Sequence, residues 1–329
     1  MKTVAVVGYG YWGPNLLRVL DSLKKTKVKY VCDLNERRLH EAKEKYPNYI
    51  YTTNVENIFN DKEVDGIIIA TPIESHYTLA KKGFESGKDV FVEKPLTGSS
   101  KESLELVDLS RKHGKILMVG HTFVYSPPVR KMKSLMDSGE LGEIYFMTSS
   151  RVNLGLHRKS ISVVWDLAPH DLSIIFYCLG EFPTFIDAIG RDSIIKGVPD
   201  VSFINLKFPS NIVANIELSW LAPTKMRRTV VVGSKKMLVY DDGEPNEKVR
   251  VYDKGIEIKE PESFGEYQLT YRTGDMYVPR IENVEPLKIE MEEFIESMET
   301  RNKPLSDGEF GLKIVETIEK ADKILYESL

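Results

Sequence analysis

Short apolar runs recur along the first third of the chain, and most are followed by a segment whose apolar positions repeat at helical spacing. Residues 3–7 (Thr-Val-Ala-Val-Val) form a β-branched run, the mark of a strand buried on both faces. Residues 14–23 then predict a helix, 28–32 a second strand ended by Asp33, and 35–45 another helix. The alternation continues with a buried strand over 64–71 closed by Thr71-Pro72, a helix from about Ser75 to Ser86 with His76 in its first turn, and a strand over 89–93 ending in Glu93-Lys94-Pro95. An amphipathic helix follows over 100–112, with Ser100 as its N-cap, and then a strand over 115–120 leading to His121. Strict strand–helix alternation of this kind predicts an α/β domain built on a doubly wound parallel sheet.

The pattern changes after residue 122. Tyr125-Ser126-Pro127-Pro128 lead into a helix reaching Asp137, residues 143–153 alternate as a strand, and 162–179 read as a helix closed by Gly180. Strands are expected at 184–190, 200–208, 211–219, 228–233, 236–240 and 248–253, mostly antiparallel neighbours joined by short polar turns. Residues 254–283 show no clear periodicity and read as a loop near a ligand or partner, while 285–300 and 306–328 are amphipathic helices. The expected organisation is a first domain over 1–122 and an α+β domain over 123–329 with a large, mostly antiparallel open sheet.

Composition narrows the function. The chain has 329 residues, 45 Lys plus Arg against 49 Asp plus Glu, and a net charge of −4. That balance argues against a surface devoted to nucleic acid, which needs a basic excess or stripe. The two cysteines, Cys32 and Cys178, lie in apolar runs and can build neither a disulfide framework nor a four-cysteine zinc site. The apolar start is too short for a signal peptide and no stretch is long enough to span a membrane, so the expected compartment is the cytoplasm.

The first turn carries the clearest chemistry. Gly8, Gly10 and Gly13 stand between strand and helix as Gly-Tyr-Gly-Tyr-Trp-Gly, and Asp33 ends the next strand 20 residues after Gly13. Gly8 permits the tight turn, Gly10 lets the backbone approach a pyrophosphate, and Gly13 lets helix and strand pack closely. The helix N-terminus offers free N–H groups to the phosphates. Asp33 can accept from both ribose hydroxyls, which favours NAD over NADP, although Arg37 and Arg38 nearby could hold a 2′-phosphate. The glycine loop, Asp33, Thr71-Pro72, Glu93-Lys94 and His121 all fall at carboxyl ends of strands, where such sheets bind ligands.

Together with the Ala70-Thr71-Pro72…His76, Glu93-Lys94-Pro95 and Asp166…His170 signatures, the glycine loop resembles the Gfo/Idh/MocA oxidoreductases over essentially the whole chain. The resemblance implies a Rossmann domain, a second domain whose open sheet packs against another subunit, and NAD(P)-dependent oxidation or reduction of a carbinol. Residues 151–155 and 163–174 are similar to members that oxidise the 3-hydroxyl of UDP-N-acetylglucosamine or its uronic acid.

Asp166 and His170 are four apart on a predicted helix and so share a face, whereas Asp171 points about 100° away. Oxidising an alcohol requires a group that takes the hydroxyl proton near neutral pH, which suits histidine. Lys94 is assigned to stabilise the reacting oxygen, His170 to act as general acid/base, and Asp166 to orient the pair. The candidate cofactor contacts are Gly8, Gly10, Tyr11, Trp12, Gly13, Asp33, Thr71, Pro72, His76, Glu93, Lys94 and His121. The candidate substrate contacts are Lys94, Tyr125, Arg151, Asn153, Asp166 and His170, with Arg151 a clamp for a diphosphate or carboxylate. His157, Arg158 and Lys159 form a basic turn that could meet phosphate, and Lys225, Arg227 and Arg228 make a weaker one. Asp166, His170 and Asp171 lack a further ligand, so no metal is expected, and hydrolase signatures are absent. Two other readings stay open: a dehydrogenase of a free sugar or inositol, and a dinucleotide-sensing regulator without catalysis.

Overall fold

A computed structural model of the chain describes residues 1–155, 157, 161–259 and 268–328. The chain forms two compact units: Met1–Tyr125 with Val284–Glu319, and Ser126–Asn283 with Lys320–Leu329. The sequence-based division at residue 122 does not include the return of Val284–Glu319 to the first unit.

The first unit contains β1 (Lys2–Val7), α1 (Gly13–Ser22), β2 (Thr26–Cys32), α2 (Glu36–Lys45), β3 (Ile50–Thr52), α3 (Glu56–Phe59), β4 (Gly66–Ile69), α4 (His76–Glu85), β5 (Asp89–Glu93), α5 (Ser100–His113) and β6 (Leu117–Gly120). Their six strands make one parallel sheet in the order β3-β2-β1-β4-β5-β6. Every residue of β4, β5 and β6 is buried, as expected of a sheet covered on both faces. The three-residue β3, pairing Ile50 with Tyr30, has no counterpart among the expected strands. Asn35 caps α2 by accepting from the N–H groups of Arg37 and Arg38. The cap of α5 is Ser99 and not Ser100: the Ser99 hydroxyl oxygen accepts the Glu102 N–H at 3.3 Å.

The second unit contains α6 (Pro127–Asp137), β7 (Ile144–Leu154), α7 (Val163–Leu179), β8 (Phe185–Arg191), β9 (Val201–Lys207), β10 (Val213–Ser219), β11 (Leu221–Gly233), β12 (Met237–Asp241), β13 (Val249–Lys259) and β14 (Gln268–Tyr277). These eight strands form a sheet in the order β14-β13-β12-β11-β7-β10-β9-β8, antiparallel except where β7 meets β10. The loop expected over 254–283 is corrected here. β13 continues to Lys259, and β14 pairs with it as the edge strand. Alternation along β9 is strict, with Ser202, Ile204 and Leu206 buried and their neighbours outward. The outward positions include the exposed Phe185, Ile189, Phe203 and Val213.

Two helices complete the chain, α8 (Pro286–Thr300) and α9 (Gly308–Glu327). α8 packs against α1 and β1, and Phe294 on α8 meets the edge of Phe91 on β5 at 5.8 Å. This packing draws the segment back to the first unit. Among the described residues no helix is long and apolar enough to cross a membrane.

Candidate active site

The turn from β1 to α1 is sterically committed to glycine. Gly8 has φ +98°, and a Cβ there would lie 2.6 Å from the Ala70 carbonyl oxygen; a Cβ on Gly13 would lie 2.2 Å from the Gly8 carbonyl oxygen. Above Gly10 the space is open, with Arg38 Nη1 at 3.8 Å the nearest atom to such a Cβ. The helix therefore starts against an uncovered backbone, and no acidic residue lies in its first turn to oppose an anion. Asp33 is buried and oriented by the main chain: the Tyr9 N–H donates to Oδ2 at 2.6 Å and the Asn35 N–H to Oδ1 at 2.8 Å. Arg38 Nη1 stands 3.6 Å from Oδ2. An uncovered helix start, a close-approach loop and an oriented carboxylate fit the pyrophosphate and ribose of a dinucleotide. Tyr11 is 87% exposed on this loop, with Trp12 edge-on to it at 5.9 Å.

The ends of β4, β5 and β6 carry the next group. His76, the first residue of α4, is buried, and its Nδ1 and Nε2 face the Pro95 and Thr71 carbonyl oxygens at 3.0 Å and 2.8 Å. It thus ties the end of β4 to the segment holding Lys94. Burial pushes its imidazole down in pKa against the pull of those carbonyls. The Ser75 hydroxyl donates to Thr71 Oγ1 at 2.6 Å, and Pro72 is exposed. Glu93 is buried as the last residue of β5, Lys94 is half-buried, and the Lys94–Pro95 peptide is cis. His121, just past β6, is buried with its ring edge-on to Phe310 at 5.7 Å. A cleft of about 930 Å³ in this unit lies at the other edge of the sheet, lined by Asp65, Lys88, Asp89 and Lys115 before or at the strand starts. It is remote from this chemistry.

In the second unit, α7 presents Asp166 and His170, both half-buried, one turn apart. The Trp220 indole N–H, beyond the end of β10, donates to Asp166 Oδ2 at 3.1 Å. Asp171 turns away from that face into the sheet. It accepts Arg151 Nε–H at 2.5 Å and Nη2–H at 3.3 Å, and the Ser149 hydroxyl at 2.7 Å. Arg151, expected as an anion clamp, is therefore 5% exposed in a two-point ion pair. Asn153 lies on the same side of β7, two residues on. His157 Nε2 is 3.8 Å from Asp200 Oδ2, and its ring meets Trp220 edge-on at 5.5 Å. Arg158 and Lys159 lie outside the described residues. Arg227 and Arg228 pair with Asp242 and Asp241, which border the β12 hairpin. Tyr125, expected to reach cofactor or substrate, is fully buried in the first unit with its hydroxyl 3.0 Å from Ser306 Oγ.

Sequence reasoning did not single out Trp220, Asp200 or Glu290. Each is joined to its partner across a long stretch of chain, and only the buried tryptophan after an alternating strand offered a signal.

The chain matches the oxidoreductase family with an NAD-binding Rossmann fold over residues 2–121, and the GFO/IDH/MocA C-terminal domain over residues 129–239. The uncharacterized oxidoreductase YrbE of Bacillus subtilis is 26% identical over 251 residues, covering 73% of this chain and 74% of YrbE. An inositol 2-dehydrogenase of Salmonella paratyphi B is 26% identical over 181 residues, covering 54% of each protein. The solved structure of UDP-N-acetylglucosamine 3-dehydrogenase GnnA from Acidithiobacillus ferrooxidans has the same fold, with a TM-score of 0.82 at 20% identity over 99% of this chain and 98% of that one. With both family regions matched in order on the expected architecture, the chain belongs to the GFO/IDH/MocA oxidoreductases.

Proposed function

We propose that the protein is an NAD-dependent dehydrogenase that oxidises a sugar carbinol, the 3-hydroxyl of a UDP-linked sugar being the favoured substrate. The observation that carries this reading is the placement of Lys94 at the same carboxyl edge of the sheet as the glycine loop and the oriented Asp33 carboxylate. GnnA, alike over nearly the whole chain, supplies the argument for a UDP-sugar.

Gly8, Gly10, Gly13 and the start of α1 would hold the pyrophosphate, and Asp33 the adenosine ribose. When bound, the nicotinamide supplies the hydride acceptor. The protein's own work is to hold and move the proton. Lys94 donates to the carbinol oxygen and stabilises its negative charge as the O–H bond breaks. His170, on the second unit, has the chemistry to take a hydroxyl proton and return it in the reverse direction. Asp166, held by the Trp220 indole, orients His170 from one helical turn away.

The exposed Phe185, Ile189 and Phe203 on neighbouring strands β8 and β9 form an apolar sheet face suited to a second copy of the chain. Mixing the purified protein with NAD and, separately, UDP-N-acetylglucosamine, its uronic acid, inositol and free sugars tests the substrate. NADH absorbance should rise with the UDP-sugars. A rise with unlinked polyols alone rejects the UDP-sugar assignment in favour of the inositol-type reading that the Salmonella relative represents.

A further inference from the structure

The helix that carries Asp166 and His170 is interrupted between them. Pro169 lies inside α7 and has no N–H, so it cannot bond the Trp165 carbonyl one turn back. The Ser173 hydroxyl donates to the His170 carbonyl oxygen at 2.7 Å, a side-chain bond of the kind that loosens or bends a helix. An unbroken backbone ladder would by itself fix the separation of two side chains one turn apart. In α7 that separation depends on what the helix is fastened to.

Two anchors in the second unit bracket the proline. On its N-terminal side, Asp166 Oδ2 accepts the indole N–H of Trp220, which lies between β10 and β11. Trp220 is itself buried and held at both ends: its backbone N–H donates to the Asp200 carbonyl and its carbonyl accepts the Gly155 N–H, each at 3.0 Å. On the C-terminal side, the buried carboxylate of Asp171, next to His170, accepts from Arg151 Nε at 2.5 Å, Arg151 Nη2 at 3.3 Å and the Ser149 hydroxyl at 2.7 Å. Ser149 Oγ also lies 3.2 Å from Thr229 Oγ1 on β11. Arg151 and Ser149 belong to β7, and its parallel partner β10 places Leu218 opposite Arg151 and Ser219 opposite Val152, immediately before Trp220. The distance between the anchors is therefore set by strand register. A buried ion pair adds little stability that apolar side chains of similar size would not supply. A two-point guanidinium–carboxylate pair does supply geometry, because it fixes both the place and the direction of the carboxylate.

We propose that Arg151 is a positioning residue for His170: through Asp171 it locks the C-terminal half of α7 to β7, so that the sheet, and not the proline-interrupted helix, sets where His170 stands relative to Asp166. The use made of His170 in proton transfer rests on the proposed dehydrogenase reading; the lock on its position does not.

Replacing Arg151→Met and Asp171→Leu together removes the pair without leaving a buried charge, so the melting temperature should stay within a few degrees of wild type. In NMR spectra of the labelled full-length protein, the His170 imidazole signals, identified by their loss in His170→Gln, should shift and broaden or split in this double variant. The Trp220 indole N–H signal, identified by its loss in Trp220→Phe, should stay in place. With substrate and NAD, kcat should fall by about 10- to 100-fold while KM stays within a few-fold, the size of loss that a small misplacement of a reacting group produces. Arg151→Lys keeps the charge without the planar fork and should show the same changes in smaller degree. Unchanged His170 signals, an unchanged kcat, or a Trp220 signal that moves in step with His170, as general loosening would cause, overturns the proposal. If the double variant does not fold, Arg151→Lys decides by the same criteria. If the wild-type protein oxidises no alcohol, the dehydrogenase reading fails while the NMR comparison still decides the lock.

Discussion

The Asp33 carboxylate is bound to the backbone of Tyr9, whose N–H donates to Oδ2 at 2.6 Å, so the end of β2 and the glycine loop are one hydrogen-bonded unit. A carboxylate has about four acceptor sites, and those not taken by Tyr9 and Asn35 can receive ribose hydroxyls. Replacing Asp33 by Ala should weaken NADH binding by roughly 10- to 100-fold, the loss of hydrogen bonds to a charged group. The same change relieves Arg38, 3.6 Å from Oδ2, of its partner and should raise NADPH affinity relative to NADH. Fluorescence titration with both cofactors checks it; wild-type protein that binds NADPH as tightly as NADH would remove the basis for the NAD assignment.

Lys94→Ala should lower kcat by about 100-fold or more, the size of effect seen when a donor to a developing oxyanion is removed. Its NADH affinity should stay within a few-fold of wild type. A regulator that only senses the dinucleotide would oxidise no alcohol in the first place, and its response would survive this change. Steady-state kinetics beside cofactor titration distinguishes the two.

Trp220→Phe keeps an aromatic ring and removes the N–H that reaches Asp166 Oδ2. A lost hydrogen bond to a carboxylate predicts a fall in kcat of about tenfold, with KM little changed if the indole acts only through Asp166. An unchanged kcat would separate Trp220 from the chemistry.

Stability should respond to pH through two groups of opposite sign. Glu93 keeps its proton in the folded chain up to about 7, whereas the unfolded chain releases it nearer 4.5. Its contribution is present below 4.5 and is lost as pH rises to about 7, a change on the order of 3 kcal/mol. His121 is neutral in the folded chain down to about 3 but protonates near 6.5 when unfolded, so its contribution is present above 6.5 and lost as pH falls towards 3. Thermal denaturation across pH should therefore show Glu93→Gln gaining on wild type above neutrality, and His121→Phe gaining on the acid side. Parallel curves for wild type and variants would contradict both assignments.

Ile189 is 56% exposed on the apolar outer face, directly opposite Phe203 on β9. Ile189→Asp should convert an oligomer to monomer by light scattering, with the fold intact by circular dichroism. A wild-type monomer would reject the face as a self-contact.

Much of the fold could be read from the chain because the longer parallel strands are short, mainly apolar runs, each closed by Gly, Asp, Thr-Pro or Glu-Lys-Pro. The three-residue β3 is too short to carry a period, and β13 and β14 mix charged and apolar residues at a sheet edge, where only pairing reveals the strand. The spacing of Asp166, His170 and Asp171 on α7 foretold that Asp171 would face elsewhere. Its partner could not be foretold, because Ser149 and Arg151 come from a strand 22 and 20 residues earlier. Trp220 with Asp166, and Glu290 with Thr122, are contacts 54 and 168 residues apart that no local pattern encodes.

Transfer of the sugar's own hydrogen is the most direct test of the central claim. With UDP-N-acetylglucosamine carrying deuterium at C3 and unlabelled NAD, the account predicts NADH that is one deuteron heavier, with the label at the nicotinamide C4, and a loss of that transfer in Lys94→Ala. Unlabelled NADH, or label lost to water while the sugar is turned over, would contradict it.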